Sequence, residues 1–155
     1  VEVVPTPGKD YTVLIDYSHT PDSLENILRA VRGFCTGRII AVFGCGGDRD
    51  PFKRPVMGKI AAELSDLAIV TSDNPRTEDP YKILRQILAG MQDTETPYEV
   101  IESRVSAIGR AMELAQKDDV IVLCGKGHET YQEIGHEKHH LDEREVVASY
   151  LEANA

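Results

Sequence analysis

Short apolar runs alternate with segments of helical periodicity along most of this sequence, and this alternation restricts the fold more than any other feature. Leu24, Leu28 and Val31, for example, recur at the spacing of one helix face. Strands that alternate with helices build βαβ units with right-handed crossovers, so we predict an α/β fold. Its centre is a Rossmann-like open, mostly parallel sheet with helices on both faces. The predicted strands are residues 11–16, 38–43, 67–71, 98–101 and 120–123.

Capping residues mark the ends of the predicted helices. Thr20-Pro21 and Asp79-Pro80 each fit an N-cap followed by proline at the first helical position. Gly33 is predicted to end the first helix, and Asp142 with Glu145 is predicted to form a capping box for the last.

The two remaining segments are less regular. Residues 1–9 contain two prolines and a glycine, and we predict an irregular linker that follows further domains upstream. Residues 10–155 suit a single domain by length. Residues 131–141, with Gly135 in the middle, are predicted to form a hairpin or an irregular excursion.

Polar or glycine-rich turns follow four of the predicted strands, whereas the opposite strand ends carry plain connections. The four turns lie at residues 16–22, 44–50, 71–80 and 125–129. The carboxyl ends of parallel strands share one edge of an open sheet, and ligands bind at that edge. We therefore predict one composite site built from at least three of these turns.

The turn at residues 71–80 contains Asp73-Asn74-Pro75-Arg76. Proline fixes its own φ and favours an extended conformation in the residue before it, so the turn should hold Arg76 in a fixed direction. Arginine can bind a carboxylate through two parallel N–H bonds, and Asp73 and Asn74 offer acceptors for an ammonium. This combination predicts a site for a zwitterion such as a free amino acid; an ordinary Asx-Pro turn without a ligand is the alternative.

The other turns add backbone N–H groups and charges. Residues 44–47 could present N–H groups to an anion, but they lack P-loop spacing, and a tight strand exit is the alternative. Arg49 is interpreted either as a local ion pair with its aspartate neighbours or as a second carboxylate-binding group. Glu129 could pair with a ligand ammonium, while Lys126 is predicted to contact a phosphate or solvent. His19 could contact a nucleotide, or make a hydrogen bond at the start of the first helix.

Composition and charge exclude several classes of function. The net charge of −9 argues against a nucleic-acid partner. No apolar run approaches the roughly 18 residues of a membrane span, and no signal-peptide pattern is seen, so we expect neither a membrane span nor export. The three cysteines, Cys35, Cys45 and Cys124, are predicted to be free thiols in a reducing cytoplasm. No carboxylate or cysteine completes a ligand set with the histidines of residues 136–140, so no metal site is predicted.

Five segments, in order and at family-like spacing, together resemble the C-terminal domain of a Mur ligase. They are residues 16–25, 43–50, 53–58, 73–80 and 125–129. The resemblance implies an ATP- and Mg2+-dependent ligase of peptidoglycan synthesis that acts in the cytoplasm. It would activate the carboxylate of UDP-MurNAc-L-Ala-D-Glu as an acyl phosphate and join it to meso-diaminopimelate. ATP and Mg2+ would be bound mainly by a central domain that carries a P-loop.

This chain contains no P-loop, so we expect it to bind the incoming amino acid and to be inactive alone. The resemblance implies no catalytic residue here and places Asp16 and His19 near the nucleotide. A relative that adds L-lysine and a stand-alone nucleotide-binding α/β module stay alternatives. A second carboxylate distinguishes meso-diaminopimelate from lysine, so a fixed Arg76 would discriminate between them. The implied amino-acid-binding residues are Arg49, Asp73, Asn74, Pro75, Arg76, Gly125 and Glu129.

Overall fold

Six strands form one sheet in the computed structural model, which describes all residues from 1 to 155. The strands of this sheet are β1 (Glu2–Val4), β2 (Thr12–Asp16), β3 (Ile39–Phe43), β4 (Leu67–Val70), β5 (Tyr98–Val100) and β6 (Val120–Cys124). The helices are α1 (Pro21–Arg32), α2 (Lys53–Leu64), α3 (Pro80–Ala89), α4 (Arg104–Leu114) and α5 (Glu143–Ala153). A separate hairpin consists of β7 (Tyr131–Ile134) and β8 (Glu137–His140).

The order of the strands in the sheet is β1-β2-β6-β3-β4-β5, and every neighbouring pair is parallel except β1 with β2. The register pairs Asp16 with Cys124 and Phe43 with Val70. The carboxyl ends of the four central strands therefore meet at one edge of the sheet. This arrangement confirms the predicted α/β fold.

Two apolar layers enclose the sheet. The first contains Leu24 of α1, Met57 of α2 and Ile87 of α3. The second contains Ile108 of α4 and Val147 of α5. All residues of β3 and β6 are buried, which explains their continuous apolar sequences, because a strand covered on both faces needs no polar alternation.

The predicted starts of the first and third helices are confirmed. Thr20 caps α1 in a capping box with Ser23, and Asp79 accepts the N–H of Tyr81 at the start of α3. Gly33 ends α1 as predicted. The predicted hairpin at residues 131–141 is also present.

Two local predictions were wrong. Residues 2–4, expected to be irregular, form β1, because backbone pairing with β2 outweighs the nearby prolines and glycine. Asp142 caps α5 by accepting the N–H of Arg144, but Glu145 does not complete a capping box. Its carboxylate instead contacts Nε2 of His140 at 2.9 Å. The placement of a domain boundary near residue 9 stays a prediction.

The three cysteines are free thiols, and Cys45 and Cys124 are buried. Burial raises the pKa of each of these two thiols to about 12, so neither is a thiolate at neutral pH. None of the five helices combines the length and the apolar character that crossing a membrane requires.

Candidate functional site

A cavity of about 400 Å³ lies at the carboxyl edge of the sheet, between turns that are distant in sequence. Its lining includes Lys53 and Tyr17 in addition to the predicted residues. The turns after β2, β3, β4 and β6 all contribute to it, as the positions of the strand ends require. The predicted site residues that line this cavity are His19, Arg49, Asp73, Asn74, Arg76, Gly125 and Glu129. We call it the edge cavity.

Two predicted site residues do not line the edge cavity. Pro75 is buried and packs against Gly47, where an added Cβ would lie 1.8 Å from the carbonyl oxygen of Pro75. Pro75 therefore helps to shape the turn at residues 71–80 without lining the cavity. Asp16 faces a different cavity, which Gly127 and Arg144 also line. The structure thus separates Asp16 from His19, although both were predicted to lie near a nucleotide.

Arg76 has a partly engaged guanidinium. Its Nε donates to Oε2 of Glu133 at 2.8 Å, and its Nη1 donates to the carbonyl oxygen of Gly47 at 2.9 Å. Nη2 donates no hydrogen bond within the chain. The guanidinium therefore has fixed partners on one side and retains donors that a ligand carboxylate can use.

Arg49 is exposed, and its Nη1 donates only to the carbonyl oxygen of its neighbour Asp48, at 3.0 Å. It makes no ion pair with Asp48 or Asp50, so the alternative of a local ion pair does not hold. A second cation beside it, Lys53, donates from Nζ to the carbonyl oxygen of His19 at 3.1 Å. Both cations line the edge cavity.

The predicted exposure of Lys126 was wrong. This residue was expected to contact a phosphate or solvent, but its side chain is fully buried. Its Nζ contacts Oδ1 of Asn74 and lies 3.3 Å from Oδ1 of Asp73 and 3.5 Å from Oε1 of Glu129. Gly125 on one side has a φ of 115°, which lets the loop turn the lysine inward. Burial lowers the pKa of Lys126, against the opposing effect of the Asp73 carboxylate.

The internal ammonium of Lys126 changes what the acidic side of the edge cavity can bind. Asp73 and Glu129 share this cation, so one negative charge of the two is balanced within the protein. Glu129 also accepts a hydrogen bond from the hydroxyl of Tyr17 at 3.3 Å, and its charge raises the pKa of that tyrosine. A net negative charge remains for a ligand ammonium.

Buried arginines support the turns from below. Nη1 of Arg104 donates to the carbonyl oxygen of Ser72 at 3.2 Å and Nη2 to that of Cys124 at 2.9 Å. Its Nε donates to Oε2 of Glu143, also fully buried, at 2.9 Å. Arg104 therefore sets the spacing between the turns that carry Asp73 and Gly125.

Arg54 supports the neighbouring pair of turns. Its Nη2 donates to the carbonyl oxygen of Gly46 at 2.9 Å and to Oε1 of Glu78 at 2.8 Å. Sequence reasoning missed both arginines. Their positions could have indicated a special role. Arg54 and Arg104 lie in the first turns of α2 and α4, where a cation is unfavourable because it opposes the helix dipole.

The edge cavity is thus lined by both cations and carboxylates. Such a site suits a small ligand that carries both signs of charge. No group of three or more His, Cys, Asp or Glu side chains in the chain is arranged to hold a metal ion.

Comparison with known proteins gives matches along most of the chain. The sequence model of the family described as Mur ligase, glutamate ligase domain, matches residues 1–127. The UDP-N-acetylmuramoyl-L-alanyl-D-glutamate–2,6-diaminopimelate ligase of Trichormus variabilis is 63% identical over 94% of the chain, and that of Clostridioides difficile is 54% identical over 97%. The chain spans only 29% and 31% of the lengths of these two proteins.

Solved structures agree with these matches. A structure of a UDP-N-acetylmuramoyl-L-alanyl-D-glutamate–2,6-diaminopimelate ligase superposes with a TM-score of 0.93 at 39% identity, covering 99% of this chain and 31% of that one. UDP-N-acetylmuramate-alanine ligase from Thermotoga maritima has a TM-score of 0.57 at 17% identity, covering 96% of this chain and 28% of that one. The second likeness concerns the fold alone.

Proposed function

The chain belongs to the Mur ligase family, and from this premise we propose that it is the amino-acid-binding domain of a ligase that adds meso-diaminopimelate to UDP-MurNAc-L-Ala-D-Glu. The observation that carries the proposal is the convergence of Arg49, Arg76, Asp73 and Glu129 on one cavity. Relatives more than 50% identical to the chain carry the name of this activity. ATP would be the third substrate of this ligase, and it would supply the phosphoryl group that activates the acyl carboxylate.

In this proposal the chain binds and orients the incoming amino acid. Arg76 offers its free Nη2, and Arg49 a largely unengaged guanidinium, to the carboxylates of the ligand. Asp73 and Glu129 face its ammonium groups and are held in place by Lys126. Orientation matters because the attacking amine must reach the acyl phosphate of UDP-MurNAc-L-Ala-D-Glu, which residues outside this chain would hold.

The second carboxylate of meso-diaminopimelate is the group that lysine lacks. A site whose buried or fixed polar group pairs with that carboxylate rejects the analogue without it, because the polar group is then left unpaired. Arg76 is the residue proposed for this role, since contacts to Glu133 and Gly47 fix its guanidinium.

The test is Arg76→Ala in the full-length ligase that contains this chain. Losing a charge-assisted bidentate contact of about 3 kcal/mol should lower kcat/KM for meso-diaminopimelate by about 100-fold. The KM for ATP should not change. Arg110→Ala is the matched control, because Arg110 makes ion pairs with Glu99 and Glu113 away from the edge cavity. Unchanged incorporation of meso-diaminopimelate by Arg76→Ala would contradict the proposal, and equal use of lysine by the wild type would reassign the amino acid.

A further inference from the structure

The hairpin β7–β8 lies outside the main sheet but binds the whole turn that carries Arg76. Nε2 of Gln132 donates to the carbonyl oxygen of Asp73 at 2.7 Å. The N–H of Glu133 donates to Oδ1 of Asn74 at 2.9 Å. The turn and the hairpin are therefore bonded residue by residue, although 57 positions separate Arg76 from Glu133.

The backbone of Arg76 needs this support. Its φ is 52°, in the left-handed region, which costs a residue with a Cβ roughly 1–2 kcal/mol. Its N–H donates to the carbonyl oxygen of Glu133 at 3.0 Å, and its carbonyl oxygen accepts the N–H of Gly135 at 2.6 Å. These two bonds stabilise a conformation that the turn sequence alone does not favour.

The side chain of Glu133 then directs the guanidinium. Its Oε2 takes the Nε–H of Arg76, while the carbonyl oxygen of Gly47 takes one Nη1–H. An arginine has five N–H donors, so one Nη1–H and both Nη2–H groups remain. Those remaining donors form the edge of the fork that can bind a carboxylate in a bidentate manner. Arg76 lines the edge cavity, and Glu133 lines an adjoining cavity of about 310 Å³ on the other side of it.

We propose that Glu133 is a positioning residue for amino-acid recognition: it fixes the direction of the Arg76 guanidinium and thereby sets the preference for a ligand with a second carboxylate. The proposal rests on the proposed function and adds a residue to it. Glu133 lies on a hairpin and not on any of the strand-end turns. Its effect on the ligand passes entirely through Arg76.

The experiment compares Glu133→Ala, Glu133→Gln and Glu137→Ala in the full-length ligase that contains this chain. Glu133→Ala should raise the KM for meso-diaminopimelate by about tenfold, or 1.4 kcal/mol, with kcat within about twofold of the wild type. Preference for meso-diaminopimelate over lysine should fall by a similar factor. Glu133→Gln keeps an acceptor for the Nε–H, so most of the loss should be recovered. Glu137 lines the adjoining cavity but is largely exposed, and its variant should behave as the wild type.

Three results would overturn the inference. The first is that Glu133→Ala has wild-type kinetics while Arg76→Ala is impaired. This result would leave the proposed function intact. The second is an equal rise in the KM values for all substrates without recovery in Glu133→Gln, since that pattern describes general structural damage. The third contrary result applies if Glu133→Ala fails to fold, in which case Glu133→Gln is the test. A KM for meso-diaminopimelate raised two- to fourfold in Glu133→Gln then supports the inference, and an unchanged KM contradicts it. An unimpaired Arg76→Ala enzyme would instead contradict the proposed function itself.

Discussion

The two ends of the sheet use charged residues in different ways. At the amino end, Asp119 is buried and accepts the N–H of Arg38 at 2.7 Å and that of Gln116 at 2.8 Å. Asp66 accepts the N–H of Ile39 at 2.8 Å. These carboxylates accept N–H groups at the start of β3 and after the end of α4, and arginine side chains complete their hydrogen bonds.

The carboxyl end has two layers of charge instead of one. The inner layer, Arg54, Arg104 and Lys126, is buried and bonded to the turns. The outer layer, with Arg49 and Arg76, keeps donors that face a cavity. In this comparison, the buried charges make their contacts within the protein and support the turns, whereas Arg49 and Arg76 keep donors that a ligand could use. Substitutions at the two ends should therefore affect different measurements.

The largest effect should come from the inner layer. Arg104→Met leaves Glu143 as a fully buried carboxylate without its partner, and breaking such a pair costs about 3–5 kcal/mol. Urea unfolding of the chain should show this loss in the free energy of unfolding. Arg104→Met combined with Glu143→Leu should regain most of it, because no unpaired charge remains. A single variant as stable as the wild type would show that Arg104 does not hold the turns.

The next largest loss of stability should come from two glycine substitutions, one at the carboxyl end of the sheet and one at the amino end. An added Cβ at Gly47 would lie 1.8 Å from the carbonyl oxygen of Pro75, and one at Gly37 would lie 2.6 Å from that of Asp118. Each should cost about 1–3 kcal/mol of stability, since the backbone must shift. Only Gly47→Ala should also raise the KM for meso-diaminopimelate in the full-length ligase, because it displaces the turn that carries Arg76. Equal kinetic effects of the two variants would remove the distinction between the ends.

A smaller effect is expected from Asp119→Ala at the amino end. The variant removes a cap from two backbone N–H groups and should cost about 1–2 kcal/mol, measured as a lower midpoint of urea unfolding. Kinetic constants of the full-length ligase should stay the same. Asp93→Ala, in an exposed turn, is the control and should change neither quantity. A raised KM in Asp119→Ala would contradict the assignment of this end to stability.

The last effect depends on pH and disappears in acid. Hydrogen bonds from the Arg54 guanidinium lower the pKa of Glu78 from its ordinary 4.5 to about 2. Because the pKa is lower in the folded state, this carboxylate stabilises the fold fully above about pH 4.5, and the contribution is lost as the pH falls towards 2. Glu78→Gln should therefore have a lower Tm than the wild type at neutral pH. That difference should shrink between pH 4.5 and 2; a constant difference would show that the charge of Glu78 is not involved.

Local sequence signals were sufficient for most of the fold. The prolines after Thr20 and Asp79 identified two helix starts, and buried apolar runs identified the central strands. The alternation of elements also predicted that distant turns would meet at one edge. Edge strand β1 was missed, since three residues carry no periodic signal and its pairing with β2 is a tertiary contact.

The inner layer and the hairpin contacts could not be predicted in the same way. A lysine between two glycines suggests a flexible exposed loop, yet the positive φ values of Gly125 and Gly127 turn Lys126 into the core. The pairing of Arg76 with Glu133 depends on where the hairpin lies against the sheet. Neither feature leaves a pattern in the spacing of nearby residues.

The most direct test of the comparison is an NMR titration of the chain with meso-diaminopimelate, following backbone amide shifts. The amides of Arg49, Asp73, Asn74, Arg76 and residues 125–129 should shift together, while those of Arg38 and Asp66 at the amino end stay in place. In Arg76→Ala the response to meso-diaminopimelate should weaken to the level seen with L-lysine. Shifts centred on the amino end, or none at the three turns at several times the KM of the full-length ligase, would contradict the assignment of a ligand site to the outer layer.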